Sequence, residues 1–474
     1  MSRVRAIELT LIIIIYSIAL YDSISMYNLG GANWDFIAHW LYAKSLISPA
    51  FYSALFNGQL ANTILYGNQF YFENLRAPLT GIMMMPFAWI GGSWSMPLYF
   101  AFVFGLLLLS IFYISRVLCV TPLLLTMLLF TPYVALFLLL LNGTEIVSIA
   151  LLLIFVALLI KRDWKSGIAV ALAGLAKYPN LAFVPLILLL PKEVRAKASL
   201  SFLFTTLPWL AFNAVVFHNP VFSYIISASA FSQAGANYFP LGVITGSLWL
   251  ILPDLAPALV ILAVLLLSDD RPGGRIASIA SKIKALPSSH RRYEYGVAAT
   301  FLALGAFAWL LTSARGSLDS LPRLGYLIYS GAALLLAMAI SDMANGRRVV
   351  HRKNLYRDLL AALFIVMSLM LLTWAPYGGY IFYGSSNSTL YAAGGAMAAQ
   401  GISSCNMISN DWVYLIYSGY RAHFPYYYNS TIQHYPIVFF TNLGSNQSAI
   451  NFANVTRRVG YPDFFIAFPR NYTC

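Results

Sequence analysis

Charge is what this chain has least of. Only 9% of its 474 residues are charged, while 60% are hydrophobic and mean hydropathy is +0.72. A soluble globular domain carries about 25% charged residues, so an ordinary water-facing surface is excluded and the solvent is lipid. Several motifs are also missing: a His/Cys/Asp/Glu cluster at metal-ligand spacing, a glycine-rich phosphate loop, a Ser-His-Asp signature and an internal repeat. Their absence leaves no handle for metalloenzyme, nucleotide-binding or serine-hydrolase chemistry, and none for the repeat symmetry of transporters. A net charge of +13 would suit nucleic acid. However, the basic residues are scattered through short loops between apolar runs, which is the positive-inside pattern and no binding stripe. No cofactor and no nucleic acid is expected.

What is present is a series of apolar runs of membrane-crossing length. They fall at 6–25, 94–115, 120–141, 144–160, 166–177 paired with 179–190, 198–217, 241–267, 295–313, 324–341 and 358–377. The pair around residue 178 reads as a broken hairpin, each half short for a full crossing. With the N-terminus in the cytoplasm, alternation puts twenty of the 29 Lys and Arg residues inside. This orientation needs the apolar stretch 79–92 to lie in the membrane surface, since Pro78, Pro86, Gly91 and Gly92 break it. No small-residue cleavage site follows the first span, which is expected to be a retained helix. The fold class is therefore mostly α: a polytopic membrane protein of about 11 transmembrane helices, with amphipathic surface helices in a first outer loop (26–93), plus a small C-terminal extracytoplasmic α/β domain. The boundaries are 1–378 for the membrane domain and 379–474 for the tail, and the plasma membrane is the expected location.

The tail is polar and rich in Tyr and Asn. It holds five Asn-X-Ser/Thr triplets, at Asn387, Asn429, Asn446, Asn454 and Asn471, and a sixth lies at Asn142. All six fall outside in the orientation chosen by charge. Strand-like runs occur at 409–417, 436–440 and 464–468, with helices expected between them. There are three cysteines. Cys405 and Cys474 share the tail, where an oxidising exterior would let them pair. Cys119, at the inner face, reads as an inert apolar filler.

Charged groups on the outer face are few and sit where loops meet membrane. Asp35 lies in Asn33-Trp34-Asp35-Phe36-Ile37-Ala38-His39, just beyond the first span, and a carboxylate there is a functional hypothesis by default. Asp35 and His39 are four apart and share a helix face, an arrangement suited to accepting a proton; the alternative is that Asp35 merely starts a surface helix as its cap. Glu73 could hold Arg76 or touch a substrate hydroxyl. Arg76 suits a phosphate, whose oxygens its fork matches; alternatively it reaches to lipid headgroups. Lys177 stands where two half-helices break, with a phosphate or the carbonyls of the broken end as partner. Glu145 opens a span, where the helix dipole alone would satisfy it. His39 and His218 are otherwise interfacial histidines.

These elements carry a family likeness. A first span, an outer loop opening on an acid, a surface helix and then X-Pro-Leu before an apolar segment resembles the membrane-embedded glycosyltransferases of the C superfamily (GT-C). Asn142-Gly143-Thr144-Glu145, then Lys161-Arg162-Asp163-Trp164, then Gly174-Leu175-Ala176-Lys177-Tyr178-Pro179 look like the corresponding stretches of polyprenol-phosphate-mannose-dependent mannosyltransferases and of protein O-mannosyltransferase relatives. The likeness covers about residues 1–220 and no part of 380–474. It implies a polyprenyl-phosphate-linked sugar donor and, as base, the acid of the first outer loop, here Asp35. The loop-ending motif of such enzymes often carries two prolines after Tyr, His or Lys; here it reads Arg76-Ala77-Pro78-Leu79.

The chemistry can be built independently. A lipid phosphate leaves readily, so the reaction needs a base for the incoming hydroxyl and cations for the departing phosphate. Asp35 would supply the first, Arg76 and Lys177 the second, and attack from the face opposite the phosphate would invert the anomeric centre. The expected partners are the donor, a glycan, lipid or protein acceptor, and the lipid bilayer, with a mannose-like hexose as the sugar. A polytopic transporter or lipid flippase, and a non-catalytic glycan-assembly subunit working through its tail, are the alternatives.

Overall fold

The computed structural model describes residues 3–28, 34–60, 77–129, 144–225, 227, 259, 291–314, 321–345, 387–409, 415, 420–423, 434–441, 455–472 and 474. Among these the chain is mostly helical, with one small sheet. The helices are α1 (Arg3–Asn28), α2 (Trp34–Leu46), α3 (Pro49–Phe56), α4 (Leu79–Ile90), α5 (Ser95–Leu118), α6 (Pro122–Leu129), α7 (Thr144–Ile160) and α8 (Ser166–Ala176). A 3₁₀ helix (Tyr178–Leu189) follows, then α9 (Lys192–Phe217), α10 (Arg292–Ala314) and α11 (Leu321–Asn345). By length and composition, α5, α9 and the 325–342 stretch of α11 can cross a membrane. The 24 residues of α5 extend about 36 Å at ~1.5 Å each, enough for a hydrocarbon core about 30 Å thick. Shorter apolar helices occupy Ala6–Tyr21, Leu79–Ile90, Glu145–Ile160, Ser166–Ala176 and Tyr178–Leu189. The expected spans 241–267 and 358–377, and the later part of 120–141, lie outside the described residues, residue 259 apart.

The broken hairpin is present. Helix α8 ends at Ala176, Lys177 is extended (φ −158°, ψ 120°), and the chain returns as the 3₁₀ helix. Pro179 and Pro185 lack the N–H an α-helical ladder needs there, and the Pro185 ring crowds the carbonyl four residues back. Helix α9 starts at Lys192, six residues before the expected 198, because its first turns are polar and leave the apolar run. Arg195 folds back to donate from Nε and Nη2 to the Leu190 carbonyl (3.2 and 3.0 Å), satisfying an acceptor where the 3₁₀ helix ends.

The helices share one core, and their contacts fix direction. Tyr16 of α1 donates to the Ala101 carbonyl (3.0 Å) and meets Phe104 edge-on, while Glu8 accepts the Leu123 N–H of α6 (3.1 Å). Thus α1 runs antiparallel to α5. Lys161, just past α7, lies 4.7 Å from the centroid of Tyr113 in α5, so α7 runs parallel to α5. One end of the bundle consequently gathers basic side chains. There Arg162 stacks on Tyr293 (4.9 Å). Arg291 pairs with Asp342 and donates to the Leu118 carbonyl, and Tyr295 donates to Asp342 (2.9 Å). This cluster ties the ends of α5, α10 and α11 together. Cys119 sits here too, but it is exposed and left-handed (φ 49°) at the end of α5. The apolar-filler reading is thereby corrected: the chain turns at Cys119 and carries its thiol out of the core.

In the tail, α12 (Asn387–Ala399) precedes strands β1 (Asn406–Ser409), β2 (Arg421–His423), β3 (Ile437–Phe440), β4 (Val455–Gly460) and β5 (Phe464–Pro469). The sheet order is β2-β1-β3-β5-β4, with β1 parallel to both β2 and β3, and β5 antiparallel to β3 and β4. The expected runs 436–440 and 464–468 are β3 and β5. The run 409–417 is offset, since β1 ends at Ser409 and Leu415 is helical. Cys405 and Cys474 form a disulfide (Cα–Cα 4.4 Å), with Cys405 buried against the sheet core.

Helices α10 and α11 approach through glycine on each side. A Cβ on Gly305 would meet the Leu327 carbonyl oxygen at 2.3 Å, and one on Gly331 would meet Leu302 Cα at 2.8 Å. Small residues at such crossings let backbones approach in an apolar medium. Gly305→Leu should therefore destabilise the protein by about 1–3 kcal/mol, read as a lower thermal unfolding midpoint in detergent. Gly296→Ala, on the same helix but facing open space, should leave the midpoint unchanged or raise it.

Candidate functional site

Asp35 stands in the first turn of α2, and its side chain lies outside the described part; Glu73 and Arg76 lie outside the described residues altogether. His39 is one helical turn beyond Asp35 and buried (4% exposed). The face of α2 from Phe36 to Ala43 is almost wholly buried. At its close crossing with α4, Gly81 leaves room for the Tyr42 ring, which a Cβ would strike at 2.1 Å. Phe36 packs against Tyr99 and Phe100 of α5 (centroids 6.0 and 5.6 Å). The helix bearing Asp35 is thus anchored to the start of α5, opposite the basic end.

At that same end Lys177 forms a salt bridge with Glu145. Glu145 is buried in the first turn of α7 (1% exposed), whereas the Lys177 side chain keeps 20% of its surface open. The Lys177 ammonium lies 5.6 Å from the Tyr326 ring centroid. The Tyr326 hydroxyl donates to Asn180 Oδ1 (2.7 Å), and Asn180 Nδ2 donates to the Ala173 carbonyl (2.8 Å). The Lys177 backbone N–H donates to that carbonyl as well (3.0 Å). The broken end of α8 is therefore capped by a backbone amide and an asparagine, which leaves the ammonium for Glu145. Neither partner expected for Lys177 from sequence, phosphate or helix carbonyls, includes this carboxylate.

Two buried tyrosines lie at this end. Tyr326 is beneath the Lys177 ammonium, and Tyr99 is near the start of α5, which packs along α7. The Tyr99 hydroxyl is fully buried and has no hydrogen-bond partner among the described residues. Sequence reasoning missed both, and the only available signal would have been a phenol inside an apolar run, where a hydroxyl needs company. Phe36 meets Tyr99 near the start of α5, α5 packs along α7, and Glu145 at the start of α7 pairs with Lys177 over Tyr326, so Asp35's helix and the cation at the hairpin break share one end of the bundle.

Beside this cluster is an aromatic group. Tyr178 packs at a tilt against Tyr224 (centroids 4.3 Å), Trp209 Nε1 donates to the Tyr178 hydroxyl (3.2 Å), and Trp209 stacks on Phe212 (5.3 Å). Burial pushes the Tyr224 hydroxyl up to about 12, so it is neutral at physiological pH. His218 is exposed at the end of α9 with left-handed backbone (φ 55°). Among the described residues no group of three His, Cys, Asp or Glu could hold a metal ion. Chemically, the site offers a partly open ammonium on an aromatic platform with a buried carboxylate behind it, suited to an anion that arrives from the open side.

Removing one member of a buried pair strands the other charge, at a cost of about 3–5 kcal/mol. Lys177→Met should therefore lower the unfolding midpoint markedly, and Glu145→Gln added to it should recover most of the loss. A double-mutant cycle by thermal or denaturant unfolding measures this coupling; additive effects would contradict it. Compared with protein-family models, with curated proteins and with solved structures, the chain matches none.

Proposed function

We propose that the chain is an integral-membrane glycosyltransferase. It moves a mannose-like hexose from a polyprenyl-phosphate donor to an acceptor hydroxyl on the extracytoplasmic face, with inversion. The observation that supports this reading is that the helix bearing Asp35, packed on the start of α5, and the partly open Lys177, paired with Glu145 at the start of α7, lie at one end of the bundle. Asp35 takes the proton from the acceptor hydroxyl. Lys177, joined by Arg76 from the outer loop, meets the charge that builds on the leaving phosphate.

The same reading gives the topology its finer form: eleven crossings, the basic end in the cytoplasm, α2 to α4 in the outer membrane surface, and the tail outside. Exposed Trp89 and Trp94 support it, since they flank the turn between α4 and α5 at the end away from the basic cluster, where indole rings settle at headgroup level. Tyr99 lies five residues along α5 from Trp94, about 7 Å deeper at ~1.5 Å per residue. The phosphate of a lipid donor reaches that depth while its polyprenyl chain stays in the membrane.

Asp35→Asn should lower sugar transfer by about 10²–10⁴-fold, measured with purified protein, radiolabelled polyprenyl-phosphate hexose and a crude acceptor pool. Activity near the wild-type level in that variant would remove the proposed base. A second reading, a transporter or lipid flippase, draws on the same buried Glu145–Lys177 pair, because ionisable groups within apolar bundles also line transport paths. Substrate flux in proteoliposomes without product formation would favour it.

A further inference from the structure

We propose that Glu145 is a built-in stand-in for the donor phosphate: it occupies the Lys177 ammonium while the site is empty and yields it when the phosphate arrives. Glu145 is then a positioning residue that sets donor affinity. The inference rests on the reading of Lys177 as the cation that meets the lipid phosphate, and it adds a competitor to that site.

Three features of the pair carry the argument. First, it is asymmetric. Lys177 keeps part of its surface open while Glu145 is buried, so an arriving anion meets the ammonium and never needs to reach the carboxylate. Second, each partner has other support. Tyr326, fixed by Asn180, lies beneath the ammonium, and a cation is held over an aromatic face whichever anion it faces. Glu145 sits in the first turn of α7, where the helix dipole favours a negative charge. The Tyr99 hydroxyl, fully buried and unpartnered among the described residues, is a spare donor near the start of α5, which packs along α7. Third, two anions on one ammonium in a water-poor site repel each other, so phosphate and carboxylate exchange rather than share. A carboxylate tethered a few ångströms from its cation acts at high effective concentration, which weakens phosphate binding and speeds release of the spent lipid phosphate.

The test uses the full-length protein in nanodiscs and measures binding of sugar-free polyprenyl phosphate, with polyprenol as the phosphate-free control. Glu145→Gln should tighten polyprenyl-phosphate binding by about tenfold without changing polyprenol binding. It should also lower the donor KM while leaving the acceptor KM unchanged. Glu145→Asp, which draws the charge back by one methylene, should give a smaller gain in the same direction, and it decides the question if the Gln variant does not fold. With Lys177→Met in the background, the Glu145 changes should have no effect on phosphate binding. Tyr99→Phe, which removes that spare buried donor, should weaken polyprenyl-phosphate binding. Unchanged or weaker phosphate binding in both Glu145 variants would overturn the inference while leaving the Lys177 reading intact. If the wild type binds polyprenyl phosphate no better than polyprenol, the Lys177 reading fails and the inference falls with it.

Discussion

A carboxylate and an ammonium set into an apolar helix bundle cannot stay ionised alone, and the Glu145–Lys177 pair is how this protein meets that constraint. An uncompensated charge in such a setting costs several kcal/mol. The start of α7 and the end of α8 must therefore arrive together, and α8 must stop where Lys177 can turn toward Glu145. The stop is enforced locally by Pro179 and by the Asn180 amide, which takes over the Ala173 carbonyl. Tyr326 of α11 completes the enclosure. Three separate parts of the chain thus converge on one ion pair, and the candidate site is built outward from it.

The two ends of the bundle answer the same physics differently. At the basic end Arg291 spreads its guanidinium over a carboxylate and a helix-terminal carbonyl, joining α5, α10 and α11. Its fork is filled by fixed protein acceptors, as suits a structural clasp. At the other end the cation is a lysine, a point charge on a flexible stem, about as open as Arg291 (20% against 19%). The two pairs differ in the carboxylate: Asp342 keeps 22% of its surface, whereas Glu145 is buried.

Much of this was legible in the chain because its solvent is legible. Apolar runs located the long helices of the bundle among the described residues, though not α3 or α12, and Lys177 followed by Pro179 located the break. The pairing of Glu145 with Lys177 was not legible, because the residues are 32 apart and each had a local explanation, a helix dipole for one and a phosphate for the other. Tyr99 and Tyr326 were hidden among 31 tyrosines, since only three-dimensional packing singles out a phenol beneath the lysine and another buried near the start of α5. In the tail, β3 and β5 announced themselves as buried apolar runs. Strand β4, with Thr456, Arg457 and Arg458 exposed at the sheet edge, has the polar character that keeps edges from pairing further. Strand β2, at three residues, is too short to carry a pattern.

The glycine-lined contact between α10 and α11 leaves no side-chain layer to compress, so these two helices behave as a single stiff strut. Tyr326 rides on that strut, and its ring is a fixed floor under the lysine. Any widening near that floor must come from elements outside the strut. Among the three helices able to cross a membrane, α9 is the least covered, with Leu203, Phe204 and Leu207 exposed. Yet Trp209 of the same helix donates to the Tyr178 hydroxyl beside Lys177, so a shift of α9 is passed straight to the hairpin break.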